Sequence, residues 1–429
     1  METLLASSIS RMASASVPET NFVETAAEIG RTLCRDAIWQ GSRCNFLSST
    51  NDPAFEYPKP YFKSLEADFY SGTAGVAFFL SALYRATGNR LVKKTAIGAL
   101  QTALATATLI PERSALGFFA GWTGIVYATF QAAKWLNSEE LMMQGQGLLD
   151  KVMLPDLQQT GIDVIDGAAG AIPALARLEQ QHTQPGLRAM IVKLADLLLD
   201  KAVWSAEGVS WPTVEGADHP NLTGFAHGVA GIVNALLEAF TLTKDIRYRD
   251  MAFQGLRYEN AFFDQEQQNW PDFRMKSQQV TYSLRQEEKA PGCSCAWCHG
   301  APGIALSRLR GYELTQHPAL LNEAITAVRT TATQLTWEQQ MNFSLCHGLA
   351  GNAEILLEAA DILNASDWHT QAEAVGRLGQ ERYQQTGLWT NGLYNTYQIP
   401  DFMLGLSGIG YFYLRLSDPA TYRSVLLLR

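Results

Sequence analysis

One short pattern recurs seven times along this 429-residue chain: two glycines three residues apart, followed by an apolar stretch. The copies are separated by roughly 45 to 75 residues, which leaves room for two helices and their turns. A single glycine pair of this kind is a weak signal, but seven copies before similar segments indicate a repeat architecture. The first glycines of the copies, called motifs one to seven here, are Gly72, Gly121, Gly167, Gly228, Gly300, Gly348 and Gly405.

The segments that follow the glycines are apolar nearly all round, as expected of helices buried on both sides. The segments between them, such as residues 89–107 and 185–203, have one polar face. This alternation predicts an all-α fold, an (α/α) toroid of seven inner helices surrounded by seven outer ones. We expect a flexible segment over residues 1–20 and a single domain over residues 21–429. The best strand signal is QVTYSL, from Gln279 to Leu284.

The composition excludes several function classes. The chain is 47% hydrophobic with a net charge of −9, which favours a large core and argues against nucleic acid as a partner. No apolar run reaches the length of a membrane span, and the first twenty residues do not resemble a secretory signal. Three of the six cysteines cluster at Cys293, Cys295 and Cys298, which suggests metal more than disulfides in such a chain. We therefore expect a soluble, cytoplasmic protein.

Chemically capable side chains lie directly before four of the motif glycines. If every motif opens an inner helix, all seven helix N-termini point to one mouth of the toroid, and these side chains converge there. They are Asp163, Asp166, His227, the dipeptide Cys298–His299 and the dipeptide Cys346–His347.

The two Cys–His dipeptides occupy the same position in adjacent motifs and could supply up to four ligands to zinc. A lone cysteine is more often a buried apolar residue, but the matched pairs favour metal. A closed site would be structural and an open one catalytic, and the spacing leaves both possibilities. Cys295 and Cys298 also form a CxxC that could be redox-active, although no second CxxC and no thioredoxin-like pattern accompanies it.

His227 and the two aspartates have both structural and catalytic interpretations. A buried histidine can simply bond a helix terminus, but the position of His227 beside the Cys–His pairs favours an acid/base role. Asp166 lies nearest the helix, where capping is the better interpretation. Asp163 is placed to orient an imidazole.

At these residues the sequence resembles the lanthionine cyclases, and most closely the C-terminal cyclase domains of class II lanthipeptide synthetases. The resemblance spans nearly the whole chain and rests on LEADFYSGTAG near Leu65, NWPDFR at Asn269, AWCHGAPGIALSRL at Ala296, SLCHGLAGNAEIL at Ser344 and DFMLGLSGIGYFYLRLSDP at Asp401. It implies an α,α-toroid that binds one Zn²⁺.

The resemblance also assigns roles to individual residues. It implies zinc ligands at Cys298, Cys346 and His347, an acid/base at His227 and its partner at Asp163. His299 is not expected to bind metal. The arginine that stand-alone cyclases carry four residues before the first cysteine ligand is Ser294 here. Arg274 or Arg285 is a candidate replacement.

The implied reaction is the addition of cysteine thiolates to dehydroalanine or dehydrobutyrine in a precursor peptide, forming thioether rings. The expected partners are a dehydrated precursor peptide and a separate dehydratase or export protein. The alternatives are glutathione addition to dehydrated residues, a non-catalytic zinc-stabilised peptide scaffold, and a glycosidase, which would leave the Cys–His pairs unexplained. Residues 277–294 are the candidate substrate-facing loop, and the resemblance fits either a free-standing cyclase or one domain of a larger synthetase.

Overall fold

The structure is a computed structural model. It describes residues 21–429 except 53–58, 154–156, 182–185, 215, 275–290, 337, 339–341 and 394–396. The segment 1–20, the strand signal at 279–284 and most of the candidate loop 277–294 therefore lie outside the described residues.

Seven inner helices each begin one residue after the first glycine of a motif, as predicted. They are α2 (Thr73–Thr87), α4 (Trp122–Leu136), α6 (Ala168–Gln181), α8 (Val229–Thr243), α10 (Ala301–Thr315), α12 (Leu349–Ile362) and α14 (Leu406–Ser417). The motif glycine is needed because the chain folds back on itself at each helix entry. At Gly300, φ is 89°, and a Cβ atom there would collide with the carbonyl of Ser294, so a side chain is excluded.

Seven further helices form the outer layer of the described chain. They are α1 (Phe22–Asp36), α3 (Arg90–Thr106), α5 (Glu139–Val152), α7 (Leu187–Asp200), α9 (Ile246–Ala261), α11 (Pro318–Thr333) and α13 (Ser366–Thr386). Several begin at a side chain that accepts from the first-turn amides, including Asn89, Ser138 and Asp245. Such capping stabilises a helix start that lacks intrahelical partners.

The inner helices form a closed ring. Each packs against the next, and α14 packs against α2. The outer partner of α14 comes from the other end of the described chain, because α1 packs against α14. The predicted (α/α) toroid is therefore confirmed, with the first helix completing the seventh pair.

Buried ion pairs bind inner helices together towards their C-terminal ends. Arg415 of α14 is 1% exposed and donates to Glu354 and Glu358 of α12 at 2.9 and 2.7 Å. Removing one partner of such a pair leaves a buried uncompensated charge, which typically costs about 3–5 kcal/mol. Charge is thus used for packing at this end of the ring.

Strand structure in the described residues is limited to three two-stranded antiparallel hairpins. They pair β1 (Ile38–Gln40) with β2 (Arg43–Asn45), β3 (Leu47–Asp52) with β4 (Lys59–Ser64), and β5 (Val203–Trp204) with β6 (Val209–Ser210). None of the described helices combines the length and apolar character that crossing a membrane requires.

Candidate active site

Backbone hydrogen bonds join successive motifs around the mouth where the inner helices begin. The residue two places before each motif glycine takes part in them: Tyr70, Phe119, Ile165, Ala226, Cys298, Cys346 and Met403. For example, the amide of Met403 donates to the carbonyl of Tyr70 at 2.9 Å, which links motif seven to motif one. Within the described residues, the corresponding bond between Cys298 and Cys346 is absent. The two cysteines therefore face each other across the one junction that backbone bonds leave open.

The thiols of Cys298 and Cys346 share a hydrogen bond at this junction. This bond, helped by the charges of Arg274 and His227, lowers the pKa of Cys298 despite its burial. The same bond, together with burial, raises the pKa of Cys346. The sulfur of Cys346 also accepts a hydrogen bond from the hydroxyl of Tyr70. Of the two thiols, Cys298 therefore loses its proton more easily than Cys346.

His347 follows Cys346 directly and is held by its Nε2 atom. That nitrogen lies 2.8 Å from the carbonyl oxygen of Gly392. A carbonyl only accepts, so Nε2 carries the hydrogen, and Nδ1 keeps the lone pair of the neutral ring. Burial lowers the pKa of His347 and favours this neutral form. A Cβ on residue 392 would approach the ring to 3.1 Å, so the glycine permits the contact.

The donor set of these three residues fits zinc in its chemistry. Two neighbouring thiols are soft ligands of the kind that zinc prefers, and an outer hydrogen bond fixes the tautomer of the imidazole, as is usual for metal-binding histidines. The structure brings Cys298 and Cys346 together, but in the described part of the chain no three Cys, His, Asp or Glu side chains are arranged to hold a metal. The ligand assignment of His347 stays a prediction.

Arg274 places a positive charge beside the thiols. Its guanidinium donates to both carboxylate oxygens of Asp272, at 2.9 and 2.7 Å, and Ser294 donates to the same carboxylate at 2.9 Å. Against the effect of burial, Arg274 and its neighbours lower the pKa of Asp272 to about 2. Ser294 therefore helps to hold Arg274, one of the two candidate replacements, while Arg285 lies outside the described residues.

His227 and Asp163 form a hydrogen-bonded pair across motifs three and four. The Nδ1 atom of His227 lies 2.5 Å from Oδ2 of Asp163, whose side chain is 8% exposed. Burial disfavours the charged imidazole, but the hydrogen bond and charge of Asp163 outweigh it and raise the pKa of His227. Burial alone would raise the pKa of Asp163, yet His227 lowers it. The structure brings these two residues together, and their roles as a base and its orienting partner stay predictions.

Asp166 does not act as the helix cap that its position suggests. The first amides of α6, from Ala168 to Gly170, donate to backbone carbonyls instead. The carboxyl group of Asp166 bonds that of Asp163, which already accepts the backbone amide of Asp166 at 2.9 Å. The capping interpretation of the Asp166 side chain was therefore wrong.

His299 packs behind the pair as a neutral ring. Its imidazole lies 6.1 Å from that of His227, centroid to centroid, at an interplanar angle of 26°. It is 1% exposed, and burial lowers its pKa to about 3. A neutral ring here leaves His227 as the chargeable imidazole at this position.

A cavity of about 360 Å³ joins the thiols to His227. Its lining includes Cys298, Cys346, His227 and Tyr70. Trp297 also lines it, and its indole Nε1 donates to the carbonyl of Leu426 at 3.3 Å. This bond holds Trp297, the residue before Cys298, against the segment that follows α14.

Tyr70 is the residue that sequence reasoning missed. Its hydroxyl contacts Cys346 although it comes from motif one. The signal was available, because Tyr70, Cys298 and Cys346 all lie two places before a motif glycine. The residue type did not single it out, because tyrosine packs in cores as readily as it bonds at sites.

The family model described as "Lanthionine synthetase C-like protein" matches residues 63–427. The chain belongs to this family. The resemblance drawn from the motifs is therefore confirmed, and the matched residues include all seven inner helices but not α1.

The chain is also similar to part of a longer curated protein. The chain is 23% identical over 369 residues to the lacticin 481/lactococcin biosynthesis protein LcnDR2 of Lactococcus lactis subsp. lactis, covering 82% of this chain and 36% of that protein. It thus spans about a third of the length of that curated relative.

Two solved structures share the fold. Nisin cyclase matches with a TM-score of 0.64 at 17% identity, over 84% of this chain and 92% of its own. The Lin0763 protein from Listeria innocua matches with a TM-score of 0.51 at 11% identity, over 94% of this chain and 99% of its own. At these identities the likeness concerns the fold.

Proposed function

We propose that this chain is a zinc-dependent lanthionine cyclase. It joins cysteine thiols of a precursor peptide to dehydroalanine or dehydrobutyrine residues of the same peptide, forming thioether rings. The observation that carries the proposal is one cavity lined by Cys298, Cys346 and His227. His227 is held from behind by Asp163, and the chain belongs to the lanthionine synthetase C-like family.

Cys298, Cys346 and His347 are the proposed zinc ligands, with a fourth position for the substrate thiol. Zinc, when bound, would lower the pKa of that thiol so that it reacts as a thiolate near neutral pH. Tyr70 would hold the sulfur of Cys346 through its hydroxyl. Arg274, kept in place by Asp272, would add positive charge where negative charge develops on the peptide.

His227 handles the proton in this proposal. The sulfur–carbon bond forms at the β-carbon of the dehydrated residue, and the electron pair of its double bond moves to the α-carbon side. A proton must then reach the α-carbon, and His227, with its pKa raised by Asp163, is the group that delivers it. The peptide loses a thiol hydrogen and gains a carbon-bound one, so its mass is unchanged.

The proposed chemistry also has consequences for the state of the substrate and for the compartment in which the protein works. The precursor peptide must be dehydrated first, by another domain or a separate protein. Two thiols that act as ligands must stay reduced, which supports the cytoplasm as the compartment.

The activity is tested by incubating the purified chain with a dehydrated precursor peptide, followed by thiol alkylation and mass spectrometry. Ring formation leaves the mass unchanged while alkylable thiols disappear. An increase in mass with added glutathione would instead identify a glutathione transfer. If neither change occurs with zinc present, the chain is a scaffold and the proposal fails.

Metal binding makes a separate prediction. We expect about one zinc per chain, because three protein ligands hold a catalytic zinc. Cys298→Ala and Cys346→Ala should each lose the metal and the cyclisation activity, as measured by elemental analysis and the alkylation assay. After cobalt substitution, the thiolate-to-metal absorption should weaken in either variant but persist in His347→Ala, which keeps both thiols.

Cys295→Ala and Cys293→Ala are matched controls from the same cysteine cluster. Both should keep wild-type zinc content, because their thiols are not part of the hydrogen-bonded pair. Zinc that stays bound in Cys298→Ala but is lost in Cys293→Ala would show that the ligands have been misassigned.

A further inference from the structure

A third carboxylic acid extends the His227–Asp163 pair. Asp166 approaches Asp163 twice: its backbone amide donates to Oδ1 at 2.9 Å, and the two carboxyl groups share a hydrogen bond. One carboxyl group can donate to another only if it carries a proton. Asp163 is the ionised member, because it also accepts from His227.

The surrounding chain makes room for the Asp166 carboxyl group. A Cβ atom on Gly161 would come within 2.6 Å of Oδ1 of Asp166, and one on Gly117 would come within 2.6 Å of its backbone. Glycines on both sides thus allow this side chain to lie flat against the turn. The nearby cation is Arg113, whose Nε lies 4.0 Å from Oδ2 of Asp166.

The environment favours the proton on Asp166. Burial is the largest cause of a raised pKa at Asp166. The negative charge of Asp163 and the hydrogen bond to that residue raise it further, and the pKa reaches about 7. Its side chain is 28% exposed against 8% for Asp163. The outer acid can therefore exchange its proton with solvent while the inner one stays charged.

We propose that Asp166 is a positioning residue for the acid/base pair, donating a hydrogen bond that fixes the Asp163 carboxylate against His227. The proposal deepens the cyclase function and rests on it for its kinetic consequences. Without this donor, the Asp163 carboxylate would keep its contacts with the Asp166 amide and His227 but lose one of the restraints on its side-chain rotation. His227 would then be held in the reactive orientation for a smaller fraction of the time.

The chain itself suggests the substitutions that test this. In motif one, Ser71 lies three residues after Asp68, as Asp166 lies three residues after Asp163, and it too is a donor. Asp166→Ser and Asp166→Asn keep a hydrogen-bond donor that cannot ionise, whereas Asp166→Ala removes the donor. We expect kcat of Asp166→Ala to fall about tenfold with KM unchanged, as happens when the outer partner of a functional side chain is lost. Both donor variants should stay within about threefold of wild type on the same scale.

A second readout does not depend on catalysis. The chain has seven histidines, and selective ¹⁵N-histidine labelling makes the Nδ1–H signal of His227 observable by NMR, assigned by its loss in His227→Gln. We expect this signal to shift and exchange faster in Asp166→Ala and to stay near its wild-type position in Asp166→Asn.

The two readouts separate the possible failures. If the wild type does not cyclise at all, the proposed function fails, yet the His227 signal still tests the positioning role. A wild-type signal and wild-type kcat in Asp166→Ala would refute that role. It would also be refuted if Asp166→Asn and Asp166→Ser lost as much as Asp166→Ala, since the donor would then be irrelevant. Melting temperatures of all three variants identify any loss due to unfolding.

Discussion

The turns that precede the first and third inner helices have the same construction but different chemistry. Asp68 and Asp163 each lie four residues before a motif glycine. In each, Oδ1 accepts the backbone amide three residues later, at 2.7 Å for Asp68 and 2.9 Å for Asp163. Both carboxyl groups are buried. The first and third motifs therefore share one carboxylate-held turn.

The difference between the two turns comes from the neighbouring motif. Beside the third motif, the fourth supplies His227 directly before its glycine, whereas the second motif has Ala120 at that position. Burial raises the pKa of Asp68, but His227 lowers that of Asp163. The same carboxylate turn thus gains a histidine contact where the next motif provides one.

The largest effect is expected when His227, the partner of Asp163, is removed. His227→Ala should lower the cyclisation rate by about a factor of 100 or more, the usual contribution of general acid/base catalysis. Zinc content and melting temperature should stay near wild type, because His227 is not one of the proposed ligands. The measurement is kcat by the alkylation assay, alongside elemental analysis and thermal unfolding.

His317 is a suitable control, as it is exposed at the start of α11 and packs on Phe253. His317→Ala should cyclise like wild type. A zinc-loaded, folded His227→Ala variant with an unchanged rate would remove His227 from the mechanism, and the third turn would then be no different from the first.

The second test changes the two aspartates in parallel. Asp163→Asn keeps the acceptor for the turn but removes the charge that favours a protonated His227, so we expect kcat to fall about tenfold, less than the full acid/base contribution. Asp68→Asn keeps the same turn contact and has no histidine partner, so kcat should change by less than about twofold. Both are compared by steady-state kinetics and by thermal unfolding.

Equal losses of kcat in the two variants would contradict the comparison. They would show that the turns matter through the shape of the mouth and not through His227. Asp68 lines the cavity, so an effect of Asp68→Asn on KM alone would be compatible with our interpretation.

The fold was predictable from the sequence because it depends on backbone geometry that repeats. Each motif glycine marks a helix start, and Gly300 shows why the residue cannot vary. The outer partner of α14 was less evident, because α1 lies at the other end of the described chain and carries no motif.

The site was predictable only as far as position within a motif determines it. Asp163 and His227 meet as expected, since adjacent motifs bring those positions together. The hydroxyl of Tyr70 and the carboxyl of Asp166 were missed or misread, because their roles depend on side-chain direction, which spacing does not specify. His347 illustrates the same limit, since its ring is held by Gly392, 45 residues away in sequence.

The smallest expected effect concerns Ser71, the counterpart of Asp166 in the first turn. Its hydroxyl lies 3.5 Å from Oδ1 of Asp68, at the limit of a hydrogen bond. The stronger contact in that turn, from the Ser71 amide at 2.7 Å, survives in Ser71→Ala. We therefore expect a loss of stability of about 0.5 kcal/mol or less, at the low end for one hydrogen bond.

Activity should respond even less in this variant. No histidine depends on the orientation of Asp68, so kcat of Ser71→Ala should stay within about twofold of wild type, against about tenfold for Asp166→Ala. Because Ser71 lines the cavity, KM is measured separately from kcat. A tenfold fall in kcat for Ser71→Ala would mean that any donor at this position of the turn affects the reaction. The link from Asp166 through Asp163 to His227 would then not distinguish the third turn from the first.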